Sequence, residues 1–521
     1  WIEEGGQVGR IRDSRLKYIG SIVNTDGRRI QVDADGSAAA ALTEGQQITI
    51  CSSESNIATT QQAGFLYELR RQFTGWQNAD PDQPTVAKLA TNAPRLVATL
   101  DQPTLNDVTP GQPSDWMSLS GFELDDSQQA VIGRVLGMTA GDLSIVVGPP
   151  GSGKTEVIAK AASELAAAGE RVLVTSHTNI AVDNVIEKLA SQDAHQVVRA
   201  GRPEKLSKGV KELMLSKVID DSTDESVTSL LETVEELQAS ISTHRDKVAN
   251  LKDDASILTD AEDVSPGNKG HKSATERELE AKQQELAEAR RIVRDLQEQA
   301  EAASIKNAAI TGATIIRSQL GGLAQVEFDT VIIDEASQIP VPLGLLGMVN
   351  AQKWVVVGDH NQLRPVLKTI SSGATSPPAD ASLFSFLRNR YDTEQWLEYH
   401  YRSHEDIIGF SQRHIYENQI TVADTCSRGT NWDPTTAPGA KTAAIATGPP
   451  VVFVDVSGEE AWRKRFSGSI NKREIAVVRD LVHEYLQSET VEEEDLGVIT
   501  PYRGQRSLIA DELTDAPEVE V

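Results

Sequence analysis

One stretch constrains this chain more than any other. LSIVVGPPGSGKTEVI, residues 143–158, runs an apolar strand into a glycine-rich turn and then into the start of a helix. The turn GPPGSGKT, 148–155, fits the phosphate-loop pattern G-x-x-x-x-G-K-[ST]. Gly148, Gly151 and Gly153 let the backbone curl tightly, so that Gly148, Pro149, Pro150, Gly151, Ser152 and Gly153 form a cradle with N–H groups aimed at a phosphate chain. Lys154 is placed to reach the β- and γ-phosphates, and Thr155 to offer its hydroxyl to Mg²⁺. The plain alternative is a glycine-rich turn that happens to carry Lys-Thr. The strand candidate before it and the helix candidate Glu156–Leu165 after it weigh against that.

The rest of the chain is organised around this turn. At 521 residues it is too long for one core, so three or four domains are expected. Residues 1–58 are β-rich, with a hairpin signal at Thr25-Asp26-Gly27 and a further strand in EGQQITICSS, 44–53. A small barrel is expected there. QQAGFLYELRRQF and VAKLATNAPRLVATL, within 60–104, are helical, and 105–116 reads as a boundary rich in Pro, Gly, Asp and Ser. LDDSQQAVIGRVL, 124–136, predicts a helix capped by Asp126 or Ser127. Gln128 near its start is a candidate for reading a purine edge, since an amide both donates and accepts. An exposed helix glutamine is the simpler reading of that residue taken alone.

After the phosphate loop, strands and helices alternate: RVLVTSHTNIAVDNVIEKL, QVVRAG, AAITGAT, DTVIIDEASQ and KWVVVGDHNQLRPV. This pattern predicts a mostly parallel sheet with right-handed crossovers. Between about 222 and 305 it is interrupted by two runs of 3–4 spaced apolar residues. Each run opens with a capping box, Ser222…Glu225 and Ser273…Glu276. An antiparallel coiled-coil hairpin is expected there, serving as a spacer or as a site for a protein partner. SSGATSPPAD, 371–380, reads as a linker. A second α/β unit follows, with PPVVFVDV (449–456), DLGVITPYRGQRSLI (495–509) and the terminal EVEV as strand-bearing segments. The expected domains are therefore 1–115, 116–372 with its insertion 222–305, and 373–521.

Asp334-Glu335 ends an apolar strand. In a phosphate-loop enzyme, an Asp there holds Mg²⁺ and a neighbouring Glu orients the attacking water. Gln362 in GDHNQL is placed to sense the γ-phosphate, and Arg402 in YHYRSH to bring positive charge to the same phosphate. LDDSQ, GPPGSGKT, TSHTNIAVDNV, ITGAT, DEASQ, GDHNQLRP, HYRSH and GVITPYRGQR, in this order, resemble the motifs of superfamily 1B helicases over about 124–521. DEASQIPVP with GDHNQLRPV, followed by ASLFSFL, resembles the replication helicase–nuclease branch.

That resemblance implies an α/β fold of tandem RecA-like phosphate-loop domains, with an N-terminal barrel and helical stalk and an inserted hairpin. It implies ATP with Mg²⁺ as cofactors and 5′→3′ movement on single-stranded DNA or RNA, DNA in the first place. It makes Lys154, Glu335, Gln362 and Arg402 catalytic, Thr155 and Asp334 metal ligands, and Tyr401 the residue that stacks on adenine while Gln128 reads it. It has Thr175, Ser176, Asn179, Thr311, Thr314, Pro501 and Tyr502 touch the nucleic-acid backbone. The family's Gln-Tyr-Arg-Met-His is His400-Tyr401-Arg402-Ser403-His404 here, so Tyr401 and Arg402 carry over and the Gln and Met roles do not. The motif with a second arginine lies beyond Val521. With a first residue Trp1, this suggests a piece of a longer protein.

The charge balance runs against a nucleic-acid partner: 50 Lys and Arg against 77 Asp and Glu give −27. The acidic residues are spread along the chain instead of gathered in one tail. This resembles the composition of proteins from salt-loving archaea, whose surfaces stay soluble in high salt. Only Cys51 and Cys426 are present, too few for a metal cluster or a disulfide framework, which suits a cytoplasmic enzyme. No apolar run reaches the ~18 residues of a membrane span. A monomer with no membrane contact is expected. An ATP-gated clamp or scaffold acting through the hairpin without unwinding is the competing reading. A phosphate-loop kinase is a weaker one, opposed by GDHNQL and the second α/β unit.

Overall fold

The computed structural model describes residues 7–12, 15–25, 30–34, 49–50 and 87–521, the last span without 192–195, 202–212, 214–232, 234–291, 293–294, 297, 366–380, 392, 428–450, 459, 464–467 and 488–490. The expected helix at 61–73, the 371–380 linker and most of the 222–305 hairpin lie outside these residues. Contacts divide the chain into two compact units: Trp1–Gly148 with Lys154–Leu397, and Pro149–Gly153 with Glu398–Val521.

The first unit is built on a seven-stranded sheet. Its strands are β5 (Leu143–Val147), β6 (Val172–Ser176), β7 (Val197–Ala200), β8 (Ile310–Thr314), β9 (Phe328–Ile333), β10 (Ala351–Gly358) and β11 (Glu394–Trp396). They lie in the order β11-β5-β10-β9-β6-β8-β7, and every neighbouring pair is parallel. A parallel sheet is covered on both faces, which is why its strands read as near-continuous apolar runs. The side chains alternate between two cores. Leu143, Ile145, Val147, Val331, Ile333, Trp354 and Val356 pack on one face. Val146, Val172, Val174, Ile332, Val355 and Val357 pack on the other.

Helices Asp126–Gly137, Lys154–Ala167 and Asn179–Ala190 cover the second face with Val131, Ile132, Val157, Leu165, Val185 and Ile186. The first face is covered by helices Ala87–Asp101, Val341–Met348 and Leu383–Tyr391 through Leu96, Leu346 and Phe384. Ala300, Ala302 and Ile305, where the chain returns from the insertion, are buried in this same core. The helix at 87–101 is tied down further. Asn92 donates to the Val349 carbonyl at 3.1 Å, and Tyr391 donates to the Thr99 carbonyl at 2.9 Å.

Near the N-terminus, β1 (Gln7–Arg12), β2 (Arg15–Thr25), β3 (Ile30–Ala34) and β4 (Thr49–Ile50) form a four-stranded antiparallel sheet in the order β3-β2-β1-β4. Thr25 pairs with Ile30 across the Thr-Asp-Gly signal. Among the described residues β3 and β4 are edges, and closure into the expected barrel would involve residues outside them.

One boundary moves. The stretch from 381 to Leu397 packs with the first unit and not with the second as expected from 373. Leu383, Phe384 and Leu387 are fully buried in the first core, and β11 adds to the sheet beside β5. In the second unit the segments read as strands stay largely unpaired. Residues 451–458 make no strand and Phe453 is 90% exposed. GVIT and EVEV meet through a single parallel bridge between Gly497 and Glu520. An apolar run such as 451–454 needs covering layers on both sides to act as an inner strand, whereas Val451, Val452, Phe453 and Val454 are all exposed. The core there is instead made by helices Lys472–Leu486 and Arg503–Glu512 through Ile475, Val482, Ile509 and Leu513. Among the described residues no helix is long and apolar enough to cross a membrane.

Candidate nucleotide site

Strand register brings the motifs together. Val147 pairs with Gly358, Val356 with Ile333, Ile333 with Thr175, and Ser176 with Thr314. Gly148, Asp334, Asp359 and His177 therefore all leave the carboxyl edge of one parallel sheet, where ligands of such folds bind. The edge is closed by backbone bonds, Gly148 N–H to the Gly358 carbonyl and Asp334 N–H to the Thr175 carbonyl, both at 2.9 Å.

Asp334 is 5% exposed, and its carboxyl is pushed up to about 6. Burial is the main cause. The Glu335 charge adds to it, while the Lys154 ammonium and the Glu335 N–H oppose it. Glu335 sits in the left-handed region with φ 54° and ψ 34°. For a residue with a Cβ this costs roughly 1–2 kcal/mol, and such strain collects at functional positions. Its N–H donates to Asp334 Oδ1 at 2.8 Å, and Gln338 donates to its Oε2 at 3.2 Å. The backbone turn and the Gln338 bond thus fix where the carboxylate points. His177 faces the same glutamate. Burial lowers its pKa while the Glu335 charge pulls it up.

Lys154 Nζ donates to the Gly148 carbonyl at 2.8 Å, which ties the ammonium to the end of β5. A divalent cation fits this edge. Asp334 and Thr155 offer the hard oxygen donors Mg²⁺ prefers, and a buried carboxylate beside a second one is relieved by added positive charge. Among the described residues no cluster of three or more His, Cys, Asp or Glu stands ready for a metal. Mg²⁺ in phosphate-loop sites usually keeps waters and substrate phosphates among its ligands.

Gln362 is held by Asp359. Its Nε2 donates to Asp359 Oδ2 at 2.9 Å, and its N–H to the Asp359 carbonyl at 3.1 Å. Asp359 is 2% exposed and is not among the residues the sequence singles out. Its signal in the sequence is Gly-Asp-x-x-Gln, an aspartate three residues before the glutamine it anchors. Gln128 is buried and its Oε1 accepts the Asp125 N–H at 3.2 Å. Asp125 Oδ1 in turn accepts the Gln128 N–H at 3.0 Å. Asp125 is therefore the helix cap, not Asp126 or Ser127, because only a residue three before Gln128 closes this reciprocal box.

The second unit holds the loop tip, Pro149–Gly153. Gly151 and Gly153 take φ of 73° and 78°, whereas Gly148 is not left-handed. A Cβ on Gly151 would stand 2.5 Å from His400 Cε1 and 2.8 Å from Arg402 Cβ. Ser152 donates to the Pro149 carbonyl at 2.9 Å. Tyr401 N–H donates to the Gly151 carbonyl at 2.8 Å, and its ring lies 6.4 Å from that of Tyr399 at 30°. Tyr401 is 39% exposed, and Arg402 is exposed beside it. His400, the departure from the family motif, is buried against the Pro150 carbonyl.

The residues expected to meet a strand divide into two sets. Thr175, Ser176 and Thr311 are fully buried, and their hydroxyls have no partner among the described residues. Asn179 and Thr314 are part-exposed, while Pro501 and Tyr502 are exposed in the second unit.

With this geometry in place, comparison with known proteins decides the family. A profile of the AAA domain, AAA_11, matches 123–370, and a second AAA domain profile, AAA_12, matches 379–521. The chain carries the paired AAA_11 and AAA_12 helicase domains. It is 27% identical over 403 residues to an ATP-dependent helicase of Methanocaldococcus jannaschii, covering 73% of this chain and 58% of that one. It is 29% identical to a regulator of nonsense transcripts 1 homolog of Arabidopsis thaliana, covering 74% and 27%. It is 25% identical to the DNA replication ATP-dependent helicase/nuclease JHS1 of the same plant, covering 82% and 26%. The chain thus spans 58% of the first relative and about a quarter of the other two. An arterivirus nonstructural protein 10 helicase solved with DNA matches 54% of this chain at 13% identity and a TM-score of 0.26.

Proposed function

We propose that this chain is the motor of an ATP-driven 5′→3′ helicase or translocase acting on single-stranded nucleic acid, DNA in the first place. The observation that carries the reading is the Asp334-Glu335 pair facing Lys154 at the carboxyl edge of the parallel sheet, with Glu335 on a strained backbone. Lys154 steadies the phosphates and Glu335 aligns the attacking water and takes its proton. Gln362, braced by Asp359, reports the γ-phosphate. Mg²⁺, held by Asp334 and Thr155, would neutralise the developing charge. Tyr401 stacks on the base, and Arg402 adds charge to the transferring group. The direction of movement rests on the family motifs.

For the strand, Asn179 and Thr314 are the contacts nearest the surface in the first unit, with Thr175, Ser176 and Thr311 beneath them. Pro501 and Tyr502 serve in the second. The helicase and nonsense-transcript relatives support a nucleic-acid substrate, and JHS1 supports DNA. The chain works as a cytoplasmic monomer, and a protein partner would act at the insertion. An ATP-gated clamp is the second reading, kept because the insertion is long.

ATPase assays with and without single-stranded DNA or RNA, run beside displacement of a strand from a 5′-tailed duplex, test this. Stimulation with displacement is expected. Stimulation without displacement would leave the clamp, and no stimulation by either nucleic acid would overturn both.

A further inference from the structure

Asn179 opens the helix Asn179–Ala190, and one turn later on the same helix stands Asp183. Arg199, from β7, is fully buried between them. Its Nε donates to Asp183 Oδ1 at 2.7 Å, its Nη1 to the Ala200 carbonyl at 2.6 Å, and its Nη2 to Asn179 Oδ1 at 2.9 Å. A guanidinium only donates, so the atom of Asn179 that faces it is the oxygen. The amide is planar, and pinning its oxygen inward turns its NH₂ outward. Asn179 is part-exposed, with Ile180 beside it 73% exposed, so this NH₂ is presented at the surface of the carboxyl edge.

We infer that Arg199 is a positioning residue for strand binding: it locks the Asn179 amide with its two donors facing a backbone phosphate, and it cancels the Asp183 charge that would repel that phosphate. This rests on the helicase reading above. Two N–H donors suit a phosphate oxygen, whereas a flipped amide would offer an acceptor and be repelled. Asp183 is 3% exposed, so its carboxylate is matched by the guanidinium and screened little by solvent.

The test measures binding of a fluorescent oligo-dT strand by anisotropy, together with thermal midpoints. Arg199→Lys keeps a cation beside Asp183 but cannot fork to Asn179. It is expected to weaken strand binding roughly five- to tenfold, the scale of one lost hydrogen bond. Asn179→Ala should do the same, and the double variant should lose no more than either single one. Additive losses, or parent affinity in Arg199→Lys, overturn the inference.

Asn179→Asp decides the case even if Arg199→Lys does not fold. It keeps the acceptor for Arg199 and replaces the donors with a second oxygen. Its midpoint should therefore equal or exceed the parent's, while its binding falls below that of Asn179→Ala. A midpoint below that of Asn179→Ala would show that Arg199 does not hold this side chain. A parent that binds no strand at all would count against the helicase reading itself, and this inference would fall with it.

Discussion

The buried ring of His400 donates its Nδ1 hydrogen to the Pro150 carbonyl at 2.7 Å and accepts the Ser403 N–H on Nε2 at 2.9 Å. A carbonyl only accepts and an amide N–H only donates, so these two bonds fix the neutral Nδ1–H tautomer. Protonation would set an N–H of Nε2 against the Ser403 N–H. Burial is the main force lowering the pKa of this histidine, and the Arg402 charge adds to it.

A folded pKa below the ordinary 6.5 means that the bond contributes fully above about that pH and is lost as pH falls through the depressed value. Nucleotide affinity, read with a fluorescent ATP analogue, should therefore fall below about pH 6.5 in the parent. His400→Gln keeps a donor for Pro150 without a titrating proton, so its acid limb should be flatter. Identical profiles would disprove the role of His400.

Lys154→Ala removes the ammonium that bonds the Gly148 carbonyl and offsets the Asp334 charge. A loss of turnover on the order of 10²–10³ is expected. Glu335→Gln should leave ATP bound and slow hydrolysis by a comparable factor. Parent-level hydrolysis in the glutamine variant would mean that Glu335 is not the base.

Asp334 titrates in the opposite sense from His400. Its folded pKa, about 6, lies above the ordinary 3.8, so its stabilising contribution is present below the lower value and gone above the higher one. At pH 8 the ionised carboxylate is a burden on the metal-free fold. Asp334→Asn should raise the thermal midpoint without Mg²⁺ and abolish the further rise that Mg²⁺ gives with nucleotide. A lower midpoint in the metal-free variant would contradict the burial argument.

The excess negative charge of −27 should loosen the fold in dilute buffer through self-repulsion. The midpoint is then expected to climb as KCl is added, even while added salt weakens phosphate contacts. A midpoint that falls steadily with KCl would remove the case for salt adaptation.

Excision of the insertion has a sharp inner limit. Glu301 accepts Arg317 Nη2 at 2.9 Å and the Gly322 N–H at 2.9 Å, and Ala300 and Ala302 are core residues. Replacing 223–291 by a Gly/Ser linker should keep ATP binding and the midpoint within a few degrees. Extending the cut to 304 deletes these contacts. Buried deletions of this kind cost on the order of several kcal/mol, so the longer cut should unfold the unit. Equal midpoints for the two cuts would show that 292–304 is dispensable.

Much of the first unit was legible because its strands carry unbroken apolar runs and each ends in a polar signature, as VIID does before Glu335. The cap was less so: LDDSQ offers several capping groups, and only the reciprocal bond from Gln128 selects Asp125. β11 was missed because three residues, Glu394–Trp396, are too few to show a period. PPVVFVDV reads as a strand by composition, but pairing depends on neighbours that a local pattern does not contain. Arg199 was hidden for a related reason. Its partners lie 16 and 20 residues away, on another element, and nothing in QVVRAG marks an arginine as buried.

The strand order also says where this architecture tolerates growth. β7 is the outermost strand and β8 is next to it, at the far side from β5. The chain therefore leaves the sheet at Ala200 and rejoins it at Ile310 on its two outermost strands. No strand between β5 and β6 is reached through this connection, so changes ahead of Ala300 leave the alignment of Gly148, Asp334 and Asp359 in place. Only the part of that connection ahead of the core residues Ala300, Ala302 and Ile305 is free to be rewritten for new attachments while the engine beside it stays unchanged.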